Sequence, residues 1–167
     1  MKIAVQIEPE TGAPPAVAYR WDPDTEILIA TLDDHASGEG LSGTVELQGN
    51  DGSWLNLDVA RGRIHAVEVA VWPEVRTVSA LQAPKEVETV RVTVPARRAG
   101  SGVASVAVDT PLAADADAAE RTIHFRLGNE ARSRTVRVAR DLLLDVDSGG
   151  RLAGLWLLNV PPLPESA

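Results

Sequence analysis

The side chains able to do chemistry in this chain are few: three His, four Trp, no Cys and a spread of carboxylates. His35 stands beside Asp33, Asp34 and Glu39, the one local set of metal-ligating types, whereas His65 and His124 fall in alternating apolar runs. No two His share the close spacing of a metal pair, so the His35 set reads first as a solvated loop and no metal is expected. Asp145-Val146-Asp147-Ser148-Gly149-Gly150 begins like a calcium loop, but Trp156 stands at the twelfth position, where such a loop needs an acid. Asp and Gly there suit a hairpin turn instead. A Gly-x-Ser-x-Gly elbow, a phosphate-cradling glycine loop and a dinucleotide fingerprint are all missing from the chain. Familiar covalent and cofactor chemistry is therefore not expected, and no catalytic residue or cofactor is assigned.

Tryptophan is the more informative residue, because Phe and Tyr occur only once each. Trp21, Trp54, Trp72 and Trp156 either fill a core with their indole N–H groups satisfied, the favoured reading, or line a ligand cavity. For the cavity, the polar groups expected to reach it are Glu26, Glu68, Arg63, Arg151 and His124. The run Arg132, Arg134, Arg137, Arg140 is either a patch for an acidic partner or a solvated face balanced by Glu130 and Asp141, the second being favoured.

These residues must be held by strands. Residues 142–160 (LLLDVDSGGRLAGLWLLNV) read as strand, tight turn and strand, and residues 54–71 (WLNLDVARGRIHAVEVAV) are a near copy. Each has an alternating run ending in Leu-Asp-Val, a turn with Gly-Arg, and a second apolar run. The likeness extends outward: Val5 and Leu57 match Val92 and Leu144 at an offset of 87, and Asp22, Leu28 and Leu32 match Asp117, Ile123 and Leu127 at 95. The expectation is an all-β protein of two pseudo-symmetric halves, 1–83 and 84–167, forming one compact unit. Each half supplies five to six short antiparallel strands, twelve at most in all, packed as a barrel or sandwich. Residues 74–86 hold the only expected helical content, a linker with one turn, and residues 113–119 read as a small acidic loop.

An apolar fraction of 44% is enough for a core, and the Val-rich runs favour sheet. A net charge of −8 argues against phosphate-backbone binding. No apolar run approaches the roughly 20 residues of a membrane span, and MKIAVQIE lacks a signal peptide's apolar centre, so neither membrane nor nucleic acid is expected as a partner. Absence of Cys suits a cytoplasmic setting.

The stretch Trp21-Asp22-Pro23-Asp24-Thr25-Glu26-Ile27-Leu28-Ile29 resembles the Tyr-Asp-Pro-Glu-x-Asp-x-Leu-Tyr-Ile opening of a small bacterial family, number 2283 of the domain-of-unknown-function series. The hairpin from Leu144 to Leu155 is similar to that family's closing hairpin. Trp21 replaces the family's Tyr, and the second opening, Asp117-Ala118-Ala119-Glu120, lacks the Pro. The resemblance implies two diverged copies of a small β unit, often encoded beside toxin-like genes. The functional expectation is a non-catalytic, antitoxin- or immunity-like domain that binds a protein partner or forms a homo-oligomer. The alternative is a small β-barrel enzyme or carrier, for instance a cyclase, with a Trp-lined pocket for an apolar small molecule.

Overall fold

A computed structural model describes residues 3–10, 12–33, 39–95, 104–128 and 133–165. The described residues form fourteen strands in two sheets packed as a sandwich rather than a closed barrel. The first seven are β1 (Gln6–Pro9), β2 (Val17–Asp22), β3 (Ile27–Leu32), β4 (Gly43–Gln48), β5 (Trp54–Ala60), β6 (Arg63–Val71) and β7 (Val75–Thr77). The rest are β8 (Glu88–Thr93), β9 (Ala104–Asp109), β10 (Leu112–Ala116), β11 (Ile123–Leu127), β12 (Ser133–Ala139), β13 (Leu142–Asp147) and β14 (Leu152–Leu157). Alternation is the reason they pair as they do: in β5 every second residue, Leu55, Leu57 and Val59, is buried while the residues between them are half-exposed.

Two five-strand units share one order. The smaller sheet contains β2-β3-β6-β5-β4, and the larger contains β10-β11-β14-β13-β12. Registers match residue for residue: Leu57 opposes Val67 as Leu144 opposes Leu155, and Thr44 opposes Asp58 as Thr135 opposes Asp145. Bulk is traded between strands at equivalent places. Tyr19 opposes Ala30 in the first unit, whereas Ala114 opposes Phe125 in the second, so each pair carries one ring and one methyl. A ladder irregularity follows Asp58 and Asp145 alike, which places a bulge beside both Leu-Asp-Val motifs.

Edge strands cross the boundary at residue 83. The larger sheet adds β8 beside β12, β1 beside β8, and β7 beside β10, while the smaller adds β9 beside β4. Three expectations are corrected here. Residues 74–86 contain no helix: Pro73 and Pro84 bracket an extended Val75–Thr77 that pairs in parallel with β10. Leu112–Ala116 is a strand, not part of an acidic loop, because its small side chains pack inward between β11 and β7. With these two the count exceeds twelve. The counterpart of β2 is β10, and β9 is an added edge strand.

Candidate functional site

At one end of the sandwich a cleft of about 490 Å³ opens between the two units. Trp21, at the end of β2, and Trp72, just after β6, stack with ring centroids 5.8 Å apart and planes 16° from parallel. Trp72 also meets Phe125 at 5.7 Å, which ties the cleft wall to the core. Both indoles are anchored by backbone: Trp21 Nε1 donates to the Pro161 carbonyl and Trp72 Nε1 to the Glu26 carbonyl, each at 2.8 Å. Val75, Ala116, Ala119, Ile123, Pro162 and Leu163 complete the apolar lining, and Glu26 and Glu120 add two carboxylates. Glu26 and Glu120 both hold left-handed backbone, at φ 60° and 57°, in the turns closing the β2-β3 and β10-β11 hairpins. A non-glycine residue at positive φ is uncommon, and here one stands on each side of the same cleft.

The cleft thus straddles the pseudo-two-fold relation, since Trp21 and Ala116 are equivalents by register. Among the described residues no cation lines it. Arg76, whose neighbour Val75 does, turns outward to Asp115 at 3.1 Å.

A second polar centre lies on the outer face of the larger sheet. Asp145 is 5% exposed and receives Thr135 Oγ1 at 2.6 Å, Trp156 Nε1 at 3.2 Å and the His124 ring at 2.7 Å through Nε2. His124 stacks on Trp156 with centroids 3.9 Å apart. Burial raises the Asp145 pKa, but the hydrogen bonds from His124 and Thr135, the His124 charge and the Trp156 hydrogen bond outweigh it, so the carboxyl lies below its ordinary value. His124 and Asp145 belong to strands separated by β14, and they meet over Gly154, which has no side chain to intervene. The arrangement orients an imidazole, but no serine or other nucleophile bonds to its ring among the described residues. In the first unit Asp58 keeps, among the described residues, only the Thr44 hydroxyl, at 3.2 Å, and the place of His124 is taken by Ile29.

Of the residues singled out in the sequence, Trp21, Trp72 and Glu26 converge at the cleft. His124 and Trp156 meet instead at Asp145. Trp54, Asn56 and Glu68 form their own chain on the smaller sheet, with Trp54 Nε1 donating to Asn56 at 2.7 Å and Asn56 to Glu68 at 3.1 Å. Arg63 lines a separate groove with Glu10, Asp33 and Arg91, and Arg151 is exposed opposite Ala4. Asp147 is a turn cap, its Oδ1 accepting from the Gly149 and Arg151 amides at 2.9 and 3.0 Å. No cluster of three or more metal-ligating side chains occurs among the described residues, which exclude Asp34, His35, Glu130 and Arg132. Glu120, Val75 and Leu163 of the cleft, and Thr135, went unmarked in the sequence. Their signal was symmetry: Glu120 closes the hairpin that mirrors Glu26's, and Leu163 follows the second long hairpin as Val75 follows the first.

No protein-family model matches this chain, and no curated protein matches it. No helix of the described residues is long and apolar enough to cross a membrane.

Tyr19 holds the cleft's flank to the core, donating to the Leu158 carbonyl at 2.7 Å. Burial pushes its phenol up, Asp141 adds to the rise, and the Leu158 hydrogen bond only partly offsets them. A folded-state pKa above the unfolded value of about 10 means stability is fully present below that pH and falls as pH climbs toward the folded value. Chemical denaturation at rising pH is expected to show a loss beginning near pH ~10. Tyr19→Phe, which removes the only Tyr, should abolish that part of the loss.

Proposed function

We propose that this protein is a non-catalytic binding protein whose Trp21–Trp72 cleft takes a segment of a protein partner bearing a basic side chain among apolar ones. The observation that carries the reading is the lining: stacked indoles and prolines give apolar walls, and its only charges among the described residues are Glu26 and Glu120. Aromatic faces and carboxylates together suit a Lys or Arg side chain, whose apolar stem lies on the ring while its charge meets the acids. The net charge of −8 would steer such a partner. The sequence resemblance to the family found beside toxin-like genes supports an antitoxin- or immunity-like role in a cytoplasmic setting. A rival reading, a carrier or enzyme for an apolar small molecule, draws support from the cleft's volume, which lies in the ligand-pocket range.

Selection of a displayed random-peptide library on the purified protein, with the Glu26→Gln/Glu120→Gln double variant as counter-target, tests the reading. Enrichment of sequences with Lys or Arg beside aliphatic residues, lost on the double variant, is the expected result. Recovery indifferent to the two carboxylates would overturn it. A saturable tryptophan-fluorescence shift with neutral apolar compounds, and none with the peptides, would establish the rival.

A further inference from the structure

The first unit has an open edge where the second has a strand. In the second unit β7 pairs in parallel with β10, with Val75, Arg76 and Thr77 opposite Ala114, Asp115 and Ala116. The Val78 amide extends the ladder to the Ala116 carbonyl at 2.8 Å. The equivalent edge is β2, where Tyr19, Arg20 and Trp21 take the places of Ala114, Asp115 and Ala116. Hydrogen bonds from Asp33 to Ala16 and from Gly128 to Pro111 set the same phase in both hairpins. In that phase the amides and carbonyls of Tyr19 and Trp21 point away from β3, as those of Ala114 and Ala116 point away from β11. Among the described residues no strand pairs with that side of β2.

The chain's own counterpart of β7 cannot close this edge. By register Leu157 is the equivalent of Val69, so residues 161–165 correspond to 73–77. Leu163 reaches the cleft as Val75 does. Yet Pro161, Pro162 and Pro164 have no amide hydrogen to give, and no strand forms there.

We infer that the β2 edge receives a parallel extended segment of the protein partner, carrying a carboxylate where β7 carries Arg76. This rests on the partner-binding reading above and specifies how the segment is held. Its warrant is the charge at the equivalent position: Arg76 pairs across to Asp115 at 3.1 Å, whereas β2 offers exposed Arg20, whose charge is felt by Asp22 of its own strand but meets no carboxylate across the edge among the described residues. The occupant therefore alternates. Its outward residue is acidic and meets Arg20, while its neighbours turn inward to the Trp21 cleft, where apolar and basic side chains fit. Main-chain bonds of this kind give affinity, and the alternating side chains give selectivity.

The probe is a labelled synthetic peptide of residues 72–79 carrying Arg76→Glu, with the unmodified peptide as comparison and anisotropy as readout on the full chain. The acidic peptide is expected to bind the protein about fivefold tighter than the parent, and Arg20→Glu in the protein should reverse that preference. N-methylation at the Val78 position, which removes the counterpart of the Val78–Ala116 hydrogen bond, should abolish binding. Absence of saturable binding, a preference unchanged by Arg20→Glu, or equal binding of the N-methylated peptide would each overturn the inference. So would a dimer, formed without peptide, that Arg20→Glu dissolves, since a second copy would then own the edge. If library peptides depend on Glu26 and Glu120 but not on Arg20, strand addition fails while the cleft reading stands.

Discussion

Asp145→Ala is expected to cost about 3–5 kcal/mol of folding stability, because it removes a buried carboxylate and leaves several buried donors without an acceptor. Three donors converge on this carboxylate, and all three are left behind: the Thr135 hydroxyl, the Trp156 indole and the His124 ring. Trp156 is only 7% exposed, so water cannot freely replace the missing acceptor. The first unit supplies an internal control. Asp58 occupies the same register place but is half-exposed and, among the described residues, accepts only from Thr44, so Asp58→Ala should cost about 1 kcal/mol. Urea denaturation of the two variants beside the parent makes the comparison; equal losses would mean that the His124 and Trp156 contacts contribute nothing.

The same carboxylate sets an acid limit on stability. Its folded-state pKa lies below the ordinary value, so between the two the unfolded chain binds the extra proton. The stabilisation is complete above the unfolded pKa of about 3.9 and is lost as pH falls through the folded value. Asp145→Asn should flatten the acid limb of the stability profile relative to the parent.

The hairpins were legible because their causes are local. Alternation over β5, and the mostly apolar runs of β13 and β14, combine with turns such as Arg61-Gly62, both at positive φ, that neighbouring residues specify. The two strands that local pattern does not reveal, β7 and β10, pair with each other. Neither has a strong signal alone: β10 is Leu-Ala-Ala-Asp-Ala, and its Asp115 is accommodated only through Arg76 and Arg126 from the strands on either side. The convergence of Trp21 and Trp72 depends on the connection after β6 crossing to the other sheet, which no local pattern encodes. The outward Asp of the repeated Leu-Asp-Val was visible. Its union with His124 was not, because the two strands are joined in space by a third.

Gly154→Ala should lower stability by about 2–4 kcal/mol, combining overpacking with loss of the hydrogen bond between His124 and Asp145. A Cβ at this position would lie 2.6 Å from Asp145 Oδ2, 2.7 Å from the Phe125 carbonyl oxygen and 3.3 Å from His124 Nε2. The carbonyl belongs to a central strand and cannot retreat cheaply, so the side chains must part. The first unit again shows the alternative. Ala66 holds the equivalent place, opposite Asp58, and is tolerated where Ile29 stands in place of His124 and no side chain reaches across to the carboxylate. Ala66→Gly should therefore cost only about 0.5–1 kcal/mol, the ordinary penalty of glycine in a strand. The measurement pairs urea denaturation with the nuclear magnetic resonance signals of the His124 ring. In Gly154→Ala those signals should move as the contact with Asp145 is lost, and the tryptophan emission should shift as the stacking partner of Trp156 moves. If Gly154→Ala proves as mild as Ala66→Gly, the glycine is an accident of composition. If it is severe and uncouples His124, the glycine is the gap through which two non-adjacent strands of the second unit share one buried charge.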